Sequence, residues 1–456
     1  EGADPTKGVP GKPPVLHMRP GEVQRWRFAF MGHLQTYRFA LKDHQIHIAA
    51  YDGITADELV AHDEFIIGPG SRVDLLIKAS DKPGTYPFKM LKEQFGEFPL
   101  FVTPNFFVEE LPAFNVVVEG EPLPMKLPPH LNPPKKRLPY ITAKEITRRR
   151  EIVFKVTGDV IFDWAIPAFV EDTREFFINN LKFSANRINE TVLLGAAEEW
   201  TIVNIHEAGN KALQINHPFH IHVNWFQVME VHHPDGKGGF KVEYPNDGHG
   251  LWMDNIDVPH GGKAVIRIRF EKFPGIFPLH CHVLAHEDEG MMHLVEAVDP
   301  APVKAKITKA AGGVLVSTDL SKRVRVDFKP GNYGRTTEVA YHYLLDLKHK
   351  PGHGLVGLER YFRLQSKAAL SGKASITINF PLELAHGEVY DPQTVKLYRS
   401  TGKGWTTDGI TQVSLKSGVL VSSVKTFGNG YFAVMATMVS GPVTPIPGAS
   451  LLAHVM

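Results

Sequence analysis

The sequence predicts an all-β chain built from repeated sandwich domains, and three observations carry that prediction. Forty glycines and 34 prolines punctuate many short runs of alternating apolar and polar residues, the pattern of half-buried strands joined by turns. Two long segments of the chain match each other. No apolar run approaches the ~20 residues that a membrane-crossing helix needs. With 456 residues and about 150 per domain, the length predicts three domains. A composition of 43% hydrophobic and 22% charged residues is ordinary for a folded chain and excludes extended disorder. The net charge of +1 supplies no basic field for nucleic acid or anionic lipid. A single cysteine excludes a disulfide within the chain. Residues 1–20 lack the apolar core of a secretory signal.

The strands can be followed through the repeat. MRPGEVQRWRF (18–28) matches VLLGAAEEWTIV (192–203), with Gly21 over Gly195 and Trp26 over Trp200. HQIHIAAYDG (44–53) lies over HPFHIHVNWF (217–226), which sets His44 and His47 on His217 and His220. FIIGPGSRVDLLIKA (65–79) matches IDVPHGGKAVIRIRF (256–270), and GTYPFKM (84–90) matches GIFPLHC (275–281). The offset grows between the second and third matches, which predicts an insertion in the second copy, assigned to the Gly-rich HHPDGKGGFKVEYPNDGHG as a hairpin or loop. The expected organisation is a first sandwich at 1–110, a Pro-rich linker at 111–145, and a second sandwich at 146–300. Alternating runs such as VRVDFK, ASITINF and VKLYRS then predict a third β domain at 301–440, without recognisable chemistry, and a flexible tail at 441–456.

Histidine is concentrated in the second copy. Eleven of the 23 histidines fall between His217 and His293, together with the only cysteine. Two motifs organise them: His217-Pro-Phe-His220-Ile-His222, and His280-Cys281-His282 followed by His286 and Met291. Alternate side chains of a strand share a face. His220 and His222 therefore point one way along their strand, and His280 and His282 oppose Cys281 on theirs. A thiolate, two imidazoles and a weak axial Met form a blue-copper site, which Cys281, His286, Met291 and His217 can supply. On the opposite face, His220, His222, His280 and His282 can hold further copper, with Cys281 bonded directly to the residues on either side.

At these motifs the sequence resembles the multicopper oxidases, the laccase and metal-oxidase family, over roughly residues 10–300. The resemblance implies tandem cupredoxin (Greek-key β-sandwich) domains corresponding to the family's second and third, followed by the additional β-sandwich-like domain. It implies type 1 copper ligands at His217, Cys281, His286 and Met291, a type 2 ligand at His220, and type 3 ligands at His222, His280 and His282. Electron transfer would pass through Cys281 to His280 or His282. Glu287 occupies the place of a carboxylate that helps deliver protons to reduced oxygen; its competing reading is a solvated loop acid. In the first copy, Ala49 replaces the third His and Lys89-Met90-Leu91 replaces His-Cys-His, so this domain is expected to hold no copper, with His44 and His47 structural.

The family's cluster needs two further His-x-His motifs, and this chain has none outside the assigned site. The expectation is therefore a copper oxidase whose cluster is completed by a cupredoxin domain on a second polypeptide or fragment carrying those motifs. It would couple oxidation of a small reducing substrate, a phenol or a metal ion docking near the His217 edge, to the reduction of O2 to water. Alternatives are a copper nitrite reductase-like enzyme and a blue-copper electron-transfer or copper-binding protein. The resemblance implies a periplasmic or secreted location.

Overall fold

The computed structural model describes residues 13–32, 36–91, 93–94, 107–108, 110–133, 138–158, 160–163, 168–206, 215–319, 323–428 and 430–441; the expected flexible tail lies almost wholly outside them. The chain forms two compact units. One comprises residues 1–182, 197–269 and 279–292, and the other 183–196, 270–278 and 293–456. Among the described residues the one α-helix is the short Leu284–Asp288, and the rest of the regular structure is strand apart from single 3-10 turns. The chain is all-β, as its alternating runs predict.

In the first unit, the first sequence copy folds as two sheets. One has the strand order Val15–Met18, Leu111–Val118, Gly84–Met90, Tyr37–Leu41, Phe65–Ile67, and the other Val23–Ala29, Arg72–Lys78, Ile46–Tyr51, Ile54–His62. Strand Arg72–Lys78 shows why: Val73, Leu75 and Ile77 are buried while the residues between them are not. The core they enter holds Phe39, Phe65, Phe88 and Val116, and each fully buried side chain of this size contributes about 1.5–3 kcal/mol. Leu111–Val118 pairs in parallel with Val15–Met18 and antiparallel with Gly84–Met90. This corrects the expected linker at its start: Val116 and Val118 are core residues, so the Pro-rich segment begins only after them.

The second copy repeats the plan. Ala197–His206 lies between Ile146–Thr157, in parallel, and Lys263–Arg269, antiparallel. The inserted Gly-rich sequence is a hairpin, Phe226–Pro234 paired with Phe240–Glu243. His217–Ile221 is flanked by Asn255–Val258 and by the end of Gly275–Cys281.

Register corrects one part of the repeat. Gly84–Met90 pairs with Tyr37–Leu41, setting Phe39 opposite Met90 and Ala40 opposite Lys89. In the second copy Phe219 is opposite Cys281 and His220 opposite His280. The counterpart of the His217 strand is therefore Tyr37–Leu41, not the segment containing His44 and His47. Tyr37, Ala40 and Lys42 occupy the places of His217, His220 and His222. Ala49 belongs to a different strand, in the other sheet. His44 is structural by another route: its Nε2 accepts the Ser80 amide at 3.0 Å and its Nδ1 lies 2.7 Å from the Lys42 carbonyl.

The second unit contains a seven-stranded sheet, whose central strands are Leu355–Ser366 and Tyr431–Ser440, and a five-stranded sheet with Ala374–Asn379 in the middle. Tyr333, Phe362, Phe432 and Ile376 fill its core, in keeping with the expected β-sandwich. Within the same unit, Glu190–Leu193 pairs in parallel with residues 295–298, and Arg323 and Glu296 form a fully buried ion pair.

Candidate metal centre

Two strands build the site. Because Phe219 is opposite Cys281 and His220 opposite His280, the pleat sends His217, Phe219 and Cys281 to one face and His220 and His280 to the other. His222 and His282 follow immediately after the two strands. The chain then turns into the Leu284–Asp288 helix, which carries His286 and Glu287. The turn after it brings Met291 back, with the Cys281 amide donating to the Met291 carbonyl at 3.2 Å and the Met291 amide to the His286 carbonyl at 2.8 Å.

On the inner face, His217 Nδ1 lies 3.3 Å from Cys281 Sγ, His286 Nδ1 lies 3.7 Å from the same sulfur, and the two nitrogens are 3.2 Å apart. Cys281, His217, His286 and Met291 are all buried, at 1% exposure or less. Burial drives His217 down to about 3 and His286 well below its ordinary value, each further opposed by a neighbouring imidazole. Burial also pushes the Cys281 thiol up, against the Val283 amide that donates to Sγ at 3.5 Å. Two neutral imidazoles and a thiol thus aim their lone pairs at one dry point. The arrangement fits a soft cation, which would lower the thiol again. Phe176 stacks on His286 at 4.3 Å between centroids, and Phe154 meets His217 edge-on at 5.8 Å. His217 itself is 1% exposed, with Phe154 the aromatic ring against it.

On the outer face, His222 Nε2 and His280 Nε2 are 3.3 Å apart. The ligand atoms of His220, His222 and His280 lie within 4.8 Å of one another. His282 stands beside them, its ring 5.6 Å from His220 and 5.4 Å from His280, with Nδ1 buried and without a hydrogen-bond partner. Burial is the main cause that depresses His220, His222 and His280, the last to about 3. Two of these rings are oriented through their other nitrogen: His220 Nδ1 donates to the Asp254 carbonyl at 2.7 Å, and His280 Nδ1 lies 3.0 Å from the Cys281 carbonyl. Such contacts fix the tautomer and leave Nε2 free for a metal. Glu287 Oε2 is 3.1 Å from His280 Nδ1, and burial raises its carboxyl. It is thus an acid in contact with the site rather than a solvated loop residue.

Residues 1–100 and 147–300 each match a family model described as multicopper oxidase. The chain belongs to the multicopper oxidase family. Copper of types 1, 2 and 3 is the family's cofactor. The multicopper oxidase mco of Staphylococcus haemolyticus is 38% identical over 122 residues, covering 27% of this chain and 24% of that protein. A laccase of Bacillus stratosphericus is 27% identical over 299 residues, covering 62% and 53%. A solved multicopper oxidase of Campylobacter jejuni, described as a metallo-oxidase, is 22% identical with a TM-score of 0.48, covering 62% and 55%. The chain thus spans about half the length, or less, of these relatives. Among the described residues no helix is long and apolar enough to cross a membrane.

The sequence did not reveal the residues that hold the imidazoles from outside: Phe176 against His286, and Asp254 behind His220. Asp254 acts through its backbone carbonyl, which any residue type has, so no side-chain signal marks it.

Proposed function

We propose that this multicopper oxidase chain carries a complete type 1 copper site, at His217, Cys281 and His286 with Met291 as axial ligand, and one half of a trinuclear cluster. In that cluster His220 is a type 2 ligand and His222, His280 and His282 are type 3 ligands. The remaining imidazoles come from a cupredoxin domain outside these 456 residues, bearing two His-x-His motifs, on the same or another polypeptide. The substrate is a small one-electron donor, a phenol or a metal ion, and the location is periplasmic or secreted.

One observation carries the reading. The buried thiol cluster and the imidazole cluster lie on opposite faces of one strand end, and the peptide bonds of Cys281 join it directly to His280 and His282. When bound, copper supplies the redox chemistry, taking electrons one at a time from a donor and reducing O2 to water. The chain's own residues do the rest. Cys281, His217 and His286 exclude water and enforce a fixed geometry around the thiol. The Asp254 and Cys281 carbonyls hold the His220 and His280 rings. Glu287, touching His280 and with its carboxyl raised by burial, is the acid placed to pass protons at the edge of the oxygen-reducing face.

Oxygen uptake with a phenolic or ferrous donor tests this, using the copper-loaded chain with and without an added cupredoxin domain carrying two His-x-His motifs. Uptake that requires the added domain is expected. Nitrite-dependent NO formation without oxygen uptake would replace the oxidase reading with a reductase. Neither activity would leave an electron-transfer or copper-binding protein.

A further inference from the structure

The copper-free first domain reaches the outer histidine face through one turn, residues 68–72 (Gly-Pro-Gly-Ser-Arg). Gly70 adopts φ +80 and lies flat on His282: a Cβ built there would fall 2.5 Å from Nε2 and 2.7 Å from Cγ of the ring. No side chain fits in that space, and the backbone conformation is one that L residues rarely adopt. Two residues later, Arg72 grips the Asp254 carboxylate with both terminal nitrogens, each at 2.7 Å, while Nη1 also donates to the Gly70 carbonyl at 3.1 Å. Asp254 is the residue whose carbonyl orients His220.

Asp52 and Pro69 add contacts to Asp254 and its neighbour Asn255. The buried Asp52 carboxylate accepts the amides of Asp254 and Asn255, both at 3.1 Å, and that of Arg72 at 3.0 Å. The Asn255 side chain donates to the Pro69 carbonyl at 2.7 Å. Asn255 is itself the register partner of His220. An ordinary packing contact between two sandwiches would spread over a face. Here Thr36 also donates to Asp257 and Asn246 to Asp57, but the contacts made by the turn and by Asp52 end on the dipeptide behind one ligand, and the glycine ends on the ring of another.

We propose that this turn is the positioning element of the half-cluster: Gly70 sets the place of the His282 ring, and Arg72, through Asp254, fixes His220 with its proton on Nδ1 and Nε2 free. The inference rests on the reading of these imidazoles as copper ligands. Arg72 has a definite job in it. The Asp254 carboxylate Oδ1 is 3.7 Å from His220 Nδ1, close enough to compete with the carbonyl for that proton. The bidentate guanidinium holds it away, with a fork geometry that a lysine cannot reproduce. The repeat sharpens the point, because Gly261 occupies the equivalent turn of the second copy, where the nearest atom to a built Cβ is Pro234 Cγ at 3.5 Å. The same turn is present twice, and this glycine packs on a histidine ring only in the first copy.

The test uses Arg72→Gln, Arg72→Lys and Gly70→Ala in the full chain, with two readouts. The first is ring-nitrogen NMR of the copper-free protein. His220 should be the Nδ1–H tautomer in every variant; relative to wild type, Arg72→Gln should move the Nδ1–H resonance downfield as the freed Asp254 carboxylate takes over the hydrogen bond from the carbonyl, and Arg72→Lys should fall between. The second is Cu(II) titration followed by EPR. Loss of such outer contacts typically weakens metal binding about 10–100-fold. That loss is expected for Gly70→Ala and Arg72→Gln at the outer face, with the thiolate-copper absorption of the inner face unchanged. An unaltered His220 Nδ1–H resonance together with unaltered copper affinity would overturn the proposal, as would equal loss at both faces. If wild-type protein bound no copper at the outer face, the copper reading would fail, and the Nδ1–H resonance of His220 would still decide the role of Arg72. If Gly70→Ala does not fold, the two Arg72 variants carry the test.

Discussion

Acidifying the copper-free chain should unfold it, and the size of the effect follows from the buried ionisable groups. His217 and His280 are held down to about 3, and His286 lies well below its ordinary value of 6.5. At pH 5 the unfolded chain protonates His217 and His280 while the folded chain protonates almost neither, so the unfolded state holds about two more protons from this pair, and His286 adds to the difference in the same direction. Two buried carboxyls oppose this. Asp52 and Asp257 are each lifted to about 6, mainly by burial, and at pH 5 they keep nearly two protons in the folded state that the unfolded state has lost. These two pairs nearly cancel, so His286 decides the sign; with its contribution the imidazoles win by up to about one proton, a loss of up to about 1.4 kcal/mol for each unit from pH 6 to pH 4. Groups shifted in direction alone fall on both sides: His220 and His222 add to the loss, Glu287 and Glu359 oppose it. The sign is that of bases with depressed folded values. Stability is complete above pH 6.5 and is lost as the pH falls toward 3. Urea unfolding of the copper-free chain at pH 7, 6, 5 and 4, followed by far-UV circular dichroism, measures it. A midpoint that stays level or rises on acidification would refute the reasoning.

Arg150 and Glu198 pair at 2.6 Å, with Glu198 1% exposed and also accepting the Trp200 indole N–H at 2.8 Å. Arg150→Ala leaves that carboxylate buried without its cation and should cost about 3–5 kcal/mol in urea unfolding, whereas replacing both partners by apolar residues should cost much less. Phe176→Ala removes the ring stacked on His286 and should cost about 3–5 kcal/mol of stability; by admitting water beside the inner site it should also lower the midpoint potential of bound copper in a redox titration. Copper titration of full-length chain lacking His217, His220, His222, His280 and Cys281 should leave no stoichiometric site in the first domain, where Tyr37, Ala40, Lys42, Lys89 and Met90 stand at those places.

Much of the fold and site was legible because strand alternation is local. The two faces of His280-Cys281-His282 follow from a period of two, and the register of Phe219 with Cys281 bears that out. The repeat was legible in its turns, where Gly21 and Gly195 both adopt positive φ. It misled at HQIH, whose spacing imitates HPFH although its strand lies in the other sheet. Side-chain chemistry cannot expose such an error; only pairing can. The support of the outer face was also hidden. Gly70 reads as an ordinary turn glycine, and Asp254 as an ordinary acid, until the strand beside His220 is known. The start of the Pro-rich segment was misjudged because Leu111–Val118 precedes it without a break in composition.

The central claim is that Cys281 makes a thiolate copper site on one strand face, back to back with an imidazole site on the other. Cu(II) titration of the chain, followed by visible absorption and EPR, tests it most directly. The account predicts an intense blue thiolate-to-copper band together with a second, colourless copper signal. In Cys281→Ser the blue band should vanish while the second signal remains. A chain that stays colourless with copper bound, or a Cys281→Ser variant that is still blue, would contradict it.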